Sequence, residues 1–387
     1  MTYILIFLLL LYFVYKYDVK ESRDYRNTAF WGICVVFILL AALRYRIGGD
    51  AVGYSTTWHL YPSFWDFNWF HDIETCREAN PDMERFQTGW FLFAMFVLGI
   101  WEDQIMMQIV IAILLNLAIF RCIKKYSRYP FITIFWFFCN FTFFELEFEA
   151  MRESVAVAIF LLLAFDNYVE KRWIKYYVGT VLAYMVHPSA TLMFILPLFR
   201  NLNLSLFKNT LFFVIPPFAV AVAGRILLGS LLLSLINQDS YTGQYAMSAV
   251  ERDFNSNYIL LYLYKPLGLY LIVATCYKKI KGTFFSPLIF ITLFCFFLSL
   301  VYFTGSRLAN YIIIPTYIGL SPILYYWIKR FKSVMALVLI VVMINVSTVL
   351  LCYGTPRDKA RYFPYQNIIF PDRTPEQQRI DREVNLH

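Results

Sequence analysis

Charge is scarce in this chain. Asp, Glu, Lys and Arg supply 16% of 387 residues, where a soluble globular protein carries about 25%. Apolar residues supply 60%. That balance excludes a cytosolic enzyme, a disordered chain and a fibrous protein. Metal and nucleotide signatures are missing as well. There is no DxD pair, no His/Cys ligand cluster and no P-loop, so neither a metal ion nor any other cofactor is expected. The seven cysteines form no CxxC pair and no zinc spacing. Cys34, Cys139, Cys276, Cys295 and Cys352 lie in or beside apolar runs and are expected to pack as small hydrophobes. No cleavable signal is evident. Residues 2–15 are apolar, but no basic stretch precedes them and no A-x-A site follows, so they read as a first span. Internal repeats and low-complexity tracts are also missing.

What is abundant is membrane-compatible sequence. At about 20 residues per span, the apolar share allows about ten to twelve transmembrane helices in one polytopic domain. Aromatics reach 20%, as suits interfacial belts at helix ends. Apolar runs fall near 2–16, 28–43, 87–101, 104–120, 130–146, 148–168, 174–199, 210–236, 257–276, 283–303, 308–328 and 333–353. The net charge of +8 is no sign of nucleic acid. It sits in short loops at Arg121, Lys124, Lys125 and Arg128; at Lys171, Arg172 and Lys175; at Lys278, Lys279 and Lys281; and at Lys329, Arg330 and Lys332. Such loops are cytoplasmic by the positive-inside rule. Loops near 145–153, 237–256 and 304–308 then face outside. A single transmembrane domain is expected over 1–353, followed by a polar, extended tail over 354–387.

Two segments resist this count. If the mixed-charge loop 16–26 is inside, residue 44 is outside, yet the Arg121 cluster then puts residue 84 inside. Some part of 44–86 must re-enter or cross, or the first loop is outside. The run 174–199 should cross twice but is short and carries His187-Pro188 at its middle. It reads as two short helices meeting at an outer turn or as a re-entrant pair. Irregular backbone survives at membrane depth only where protein buries it or where it lines a wet cavity, so both places are candidate sites. The stretch His59–Ile73 reads as an amphipathic interfacial helix or lid.

Charges beside spans are expensive and therefore candidates. Arg44 and Arg46 precede a Gly48-Gly49-Asp50 turn and could grip a phosphate oxygen; Asp50 could orient an arginine or act as a base. The ordinary alternative is a snorkelling helix end. Glu145, Glu149 and Arg152 share one face if the segment is helical. Arg152 would lie at or just under the outer surface and need an anion, either Glu149 or a lipid phosphate. His187 could serve as a base, or could hydrogen-bond a carbonyl freed by Pro188. Arg307 could be a further anion ligand or a snorkelling residue. The stretch Arg361–Tyr365 could fold back over an outer cavity, with an interfacial anchor as the simpler account. A convergent arginine set suits a pyrophosphate better than a neutral solute.

In order and spacing these residues resemble the EpsG family of exopolysaccharide polymerases, relatives of the Wzy O-antigen and capsular polysaccharide polymerases. The matching elements are Arg44…Gly48-Gly49-Asp50…Tyr54, Glu84…Gln87-Thr88-Gly89-Trp90, Met151-Arg152-Glu153-Ser154-Val155-Ala156, His187-Pro188-Ser189-Ala190, Arg307…Tyr311 and Pro364-Tyr365. Where the family often shows Gly-Thr-Asp and Arg-Gln, this chain has Gly-Gly-Asp and Arg152-Glu153. The fold expected is all-α, polytopic and GT-C-like, with re-entrant or short broken helices. The resemblance implies a membrane glycosyltransferase that joins undecaprenyl-pyrophosphate-linked oligosaccharide repeat units at the periplasmic face of the bacterial cytoplasmic membrane. It implies Arg44, Arg46, Arg152 and Arg307 as pyrophosphate ligands. His187 is the preferred base, with Asp50 or Glu149 as substitutes. Tyr54, Tyr311 and Arg361 are candidate sugar or lid contacts. Partners implied are the lipid-linked oligosaccharide and the bilayer, with a chain-length regulator and a flippase as further candidates. A lipid-linked glycan ligase, a flippase or transporter without catalysis, a membrane acyltransferase and a structural subunit remain alternatives. A transporter would need no base.

Overall fold

The computed structural model describes residues 2–48, 50–84, 86–223, 256–299, 305–344, 356–369 and 371–379. The expected outer loop 237–256 lies outside the described residues except at its last position, as do Cys352, Gly49, and the later parts of the runs 210–236 and 333–353. Every regular element described is helical, as the composition requires.

In chain order the helices are α1 (Thr2–Phe13), α2 (Arg26–Ala42), α3 (Ala51–Thr57), α4 (Trp69–Ala79), α5 (Pro81–Glu84), α6 (Thr88–Ile100) and α7 (Gln104–Tyr126). Next come α8 (Pro130–Phe138), α9 (Phe141–Phe144), α10 (Met151–Ile159), α11 (Phe165–Val169), α12 (Trp173–Val186), α13 (Leu196–Phe199), α14 (Leu206–Asn209) and α15 (Ile215–Ala223). The last are α16 (Ser256–Cys276), α17 (Phe285–Leu298), α18 (Gly305–Phe331), α19 (Met335–Ile344) and α20 (Pro356–Tyr362). Among the described residues three helices are long and apolar enough to cross a membrane: Thr2–Val19, Gln104–Tyr126 and Ser306–Phe331. Pro130–Phe138 with Phe141–Glu149 makes a fourth if that pair, bent by 78°, is one span. Most remaining apolar runs fold as shorter or interrupted helices, so the broken helices expected from sequence dominate the architecture.

Local chemistry sets the breaks. Pro130 occupies the first turn of α8, where its missing N–H costs nothing. Asp103 caps α7, its Oδ1 accepting from the Ile105 N–H at 2.8 Å. Asn140 caps α9 in the same way at 3.0 Å, just where the 78° bend falls. Wide π turns at Glu145–Glu149 and Phe160–Ala164 then interrupt the α register. Between α17 and α18 the buried hydroxyls of Thr292 and Thr316 bond at 2.7 Å, the kind of polar link that joins helices in apolar surroundings.

The basic clusters gather at one end of the bundle. Arg121 and Lys125 both pair with Asp166. Lys124 Nζ donates to Asn27 at 2.8 Å, and Lys329 Nζ to the Val19 carbonyl at 3.2 Å. The loop 16–26 therefore shares the lysine-rich end. At the opposite end Gln108, near the start of α7, donates to the carbonyls of Ala42 and Arg44. Helices α2 and α7 are thus antiparallel neighbours matched at both ends. The chain between them leaves and returns at the same end without a net crossing. This resolves the first anomaly: 44–103 is a re-entrant excursion. Helix α6 has 13 residues, about 20 Å at 1.5 Å per residue, and a bilayer core of about 30 Å is beyond it. The inference that residue 84 is inside fails because α6 is no span.

The second anomaly resolves similarly. Helix α12 rises to His187, and a 3₁₀ segment, Pro188–Ile195, returns alongside it. Tyr176 and Tyr177 donate across to the carbonyls of Met193 and Phe194. Arg200 then reaches the Val169 carbonyl beside the start of α12. The segment 174–199 is two short pieces that meet at a turn at His187, at the end opposite the lysines.

Two further expectations are adjusted. In 59–73 the chain forms 3₁₀ turns at Trp58–Leu60 and Phe64–Asp66, and the helix begins only at Trp69. Trp65, Phe67 and Phe70 are exposed there. Cys34, Cys276 and Cys295 are buried thiols, as expected of packed cysteines, and Cys139 is partly exposed.

Candidate active site

The end opposite the lysines collects the turn at His187, the 44–86 excursion, the bent segment 141–149, the start of α18 and the tail. Glu145, Glu149 and Arg152 do not share a face there. The π turn and the break at Ala150 (φ −84°, ψ 61°) rotate them apart. Glu145 turns to Arg307, Glu149 accepts from the Tyr362 hydroxyl, and Arg152 turns to the 44–86 excursion.

Arg152 Nε donates to the Tyr54 hydroxyl at 3.4 Å, and its guanidinium lies 3.9 Å from the centre of the Phe86 ring. Among the described residues no carboxylate comes within ion-pair distance of it. Its neighbour Glu153 points away, because successive helical residues diverge by about 100°. Glu153 is buried, accepts from Asn310 Nδ2 at 3.1 Å and stands 4.0 Å from Arg307 Nε. Glu145 Oε1 stands 3.7 Å from the same nitrogen. Arg307 is therefore clasped by two carboxylates, while among the described residues Arg152 is matched by a hydroxyl and a ring.

Tyr54 is the hinge of the arrangement. Its ring packs beside Trp90, and it lies within electrostatic range of Asp50, Arg152 and Arg307. Burial pushes its hydroxyl up from the ordinary tyrosine value, so it stays protonated. Asp50 is exposed at the entry of α3 and caps no backbone N–H with its side chain. It makes no ion pair among the described residues.

His187 is buried at the tip of its hairpin, within electrostatic range of Arg152 and Arg307. Its Nδ1 accepts the Ser189 N–H at 3.3 Å and lies 2.6 Å from Ser189 Oγ. An accepting Nδ1 places the proton of a neutral ring on Nε2. His187 thus caps the 3₁₀ segment that Pro188 begins. Ser189 Oγ also meets the hydroxyl of Tyr311 at 3.0 Å and reaches Glu153. Tyr311, expected among sugar or lid contacts, is fully buried and belongs to the floor under this turn.

Arg44 is buried as well. Its Nη1 donates to the Ala41 carbonyl at 2.5 Å, and Glu147 and Tyr365 lie within electrostatic range. Burial pulls its guanidinium down to about 10, and it stays charged at neutral pH. Glu147 accepts from Asn116 at 2.9 Å. Arg44 Nε and Glu147 Oε1 have no hydrogen-bond partner among the described residues, a polar core beneath the site. Arg46 sits at φ 49° with its carbonyl taken by Arg373 Nη1 at 3.1 Å.

The tail covers this region instead of trailing away extended. Helix α20 is followed by an antiparallel bridge between Arg44 and Asn367. The Tyr45 N–H donates to the Gln366 carbonyl, Ile368 N–H to Leu43, and Gly48 N–H to Arg361. Tyr365 donates to the Leu40 carbonyl at 2.9 Å. Arg361 takes part through its backbone and holds the turn at Gly48. The account in which this stretch folds back is the one the chain adopts.

Sequence reasoning missed Lys265, Asn310 and Ser189 as members of the set. Lys265 is within electrostatic range of Glu145 and lies 4.1 Å over the Phe296 ring. A lysine inside the run 257–276, next to Pro266, was a visible signal of an intramembrane charge. No signal in the sequence alone pairs Asn310 with Glu153.

Neither curated proteins nor solved structures give a match to the chain. The family comparison does, over residues 27–367, which takes in the 44–86 excursion, the turn at His187, Arg152, Arg307 and the bridge at Asn367. The chain is a member of the EpsG family.

Proposed function

We propose that this protein is a membrane glycosyltransferase that polymerises lipid-linked oligosaccharide repeat units. It would move the growing glycan from undecaprenyl pyrophosphate to the non-reducing end of the next lipid-linked unit, at the outer face of the bacterial cytoplasmic membrane. Family membership supports a polysaccharide polymerase in general. The observation that carries the finer reading is Arg152: a guanidinium beside two irregular segments, with no carboxylate partner among the described residues.

In this reading the acceptor hydroxyl oxygen bonds to the anomeric carbon of the donor. The bond from that carbon to the pyrophosphate oxygen breaks, and its electron pair leaves with the pyrophosphate. Arg152, with Arg307 behind it, stabilises the developing charge, as fixed cations do best where water is excluded. The hydroxyl proton goes to a carboxylate. Asp50 suits that role better than His187 or Glu149, because it is exposed and unpaired among the described residues. The other two are engaged by Ser189 and Tyr362. Arg44 and Arg46 support the turn that carries Asp50, and Tyr54 positions Arg152.

Arg152→Ala should reduce chain growth about 10²- to 10³-fold and leave single lipid-linked units, with the protein still in the membrane. Arg152→Lys should restore little, since a point charge cannot replace a planar fork. Lipid-linked products are read on gels; normal chain lengths in either variant would remove Arg152 from the site.

A further inference from the structure

A groove where three cations converge lies at the opposite end. Its volume is about 360 Å³, and it is lined by Arg128, Tyr129, Lys279, Tyr325, Tyr326 and Lys329. Its cations come from three places: the loop before α8, the 3₁₀ turn after α16 and the last turn of α18. Tyr129 and Tyr325 stack at 4.0 Å and 13° to form a flat wall.

Cations at this end are held in two ways, by carboxylates or by ring faces, and Lys16, Lys20 and Lys124 outside the groove also lie over rings. Elsewhere at the same end, Arg121 and Lys125 share Asp166, Arg172 pairs with Glu170, and Arg26 pairs with Asp18. The three groove cations lie over rings: Arg128 at 5.5 Å from Tyr129, Lys279 at 4.3 Å from Tyr326, and Lys329 at 5.4 Å from Tyr325. A ring face holds a cation without neutralising it. None of the three pairs with a carboxylate among the described residues. The nearby acid Glu21 is taken by the Tyr325 hydroxyl at 3.1 Å. Beyond Lys329, Phe331, Met335 and Leu339 are exposed and apolar, a surface made for acyl chains.

We propose that this groove binds a phosphate group, carried by an anionic phospholipid of the adjoining leaflet or by a soluble phosphate. Three converging cations satisfy the charge, the tyrosine wall covers the group that bears it, and the volume exceeds what a bare phosphate needs. The inference stands independently of the polymerase reading.

The test uses the full chain, purified in a neutral detergent, with thermal stability as readout. One arm adds phosphatidylglycerol against phosphatidylcholine, and the other adds inorganic phosphate against chloride at equal ionic strength. Wild type should gain several degrees in at least one arm. Phosphatidylglycerol alone acting assigns the lipid, and inorganic phosphate alone acting assigns a soluble ligand. The triple variant Arg128→Gln, Lys279→Gln, Lys329→Gln should lose that gain at least tenfold in ligand concentration. The variant Lys279→Arg, Lys329→Arg should keep it, which separates lost binding from misfolding. No gain in wild type, or an undiminished gain in the glutamine variant, overturns the proposal.

Discussion

Single residues at the site differ in how much freedom they have. Asp50 has the most: it is exposed, and its carboxylate holds no partner among the described residues. Asp50→Asn keeps the size of the side chain and removes the base. Chain growth should fall about 10²- to 10⁴-fold with no change in thermal stability; a rate within threefold of wild type would exclude Asp50 as the base. Gly48 has the least freedom. It sits at φ 104°, and a Cβ there would overlap the Phe148 carbonyl. Gly48→Ala should cost about 1–3 kcal/mol, seen as a lowered melting temperature of the purified protein. Unchanged melting would show that the 44–50 turn packs elsewhere. At this scale the sequence singled out candidates that the fold brings to one end of the bundle. Arg152, Asp50 and Arg307 are flagged by the cost of charge near apolar runs. Their pairing was not legible, because the π turn and the break at Ala150 turn Glu149 away from Arg152, and no periodicity reveals a π turn.

Among the elements, the 44–86 excursion and the 174–199 hairpin carry most of the candidate site. The hairpin of α12 and its 3₁₀ return depends on the cap at His187, which distinguishes a structural histidine from a proton acceptor. Asparagine caps as well as histidine does here but cannot act as a base. His187→Asn should therefore retain most chain growth, whereas His187→Ala loses about 1 kcal/mol of stability with the cap. An inactive but stable His187→Asn would instead make His187 the base. Both excursions were detectable beforehand, 44–86 as a clash of basic-loop parity and 174–199 as a run too short for two full crossings. Their direction was not, because parity needs a partner at each end. Only the matched contacts of α2 with α7, through Asn27 and Gln108, supply it.

For the molecule as a whole, composition alone was enough to state an all-α membrane protein, while the placement of the tail was out of reach. Four prolines and a polar composition read as an extended segment. What folds it back is a set of backbone bonds to residues more than 300 positions away, at Leu43, Tyr45 and Gly48. Deleting residues 356–387 should abolish polymerisation while the protein still accumulates in the membrane, and long glycan from that truncated chain would show the strap to be dispensable. The strap also gives the site an order in time. Residues 356–369 are made after every other part of it, and Arg44 gains its cover only when they have reached the far end of the bundle. The turn carrying Asp50 is therefore clamped from above last, so a partly synthesised chain already seated in the bilayer holds its arginines in place with that clamp still open.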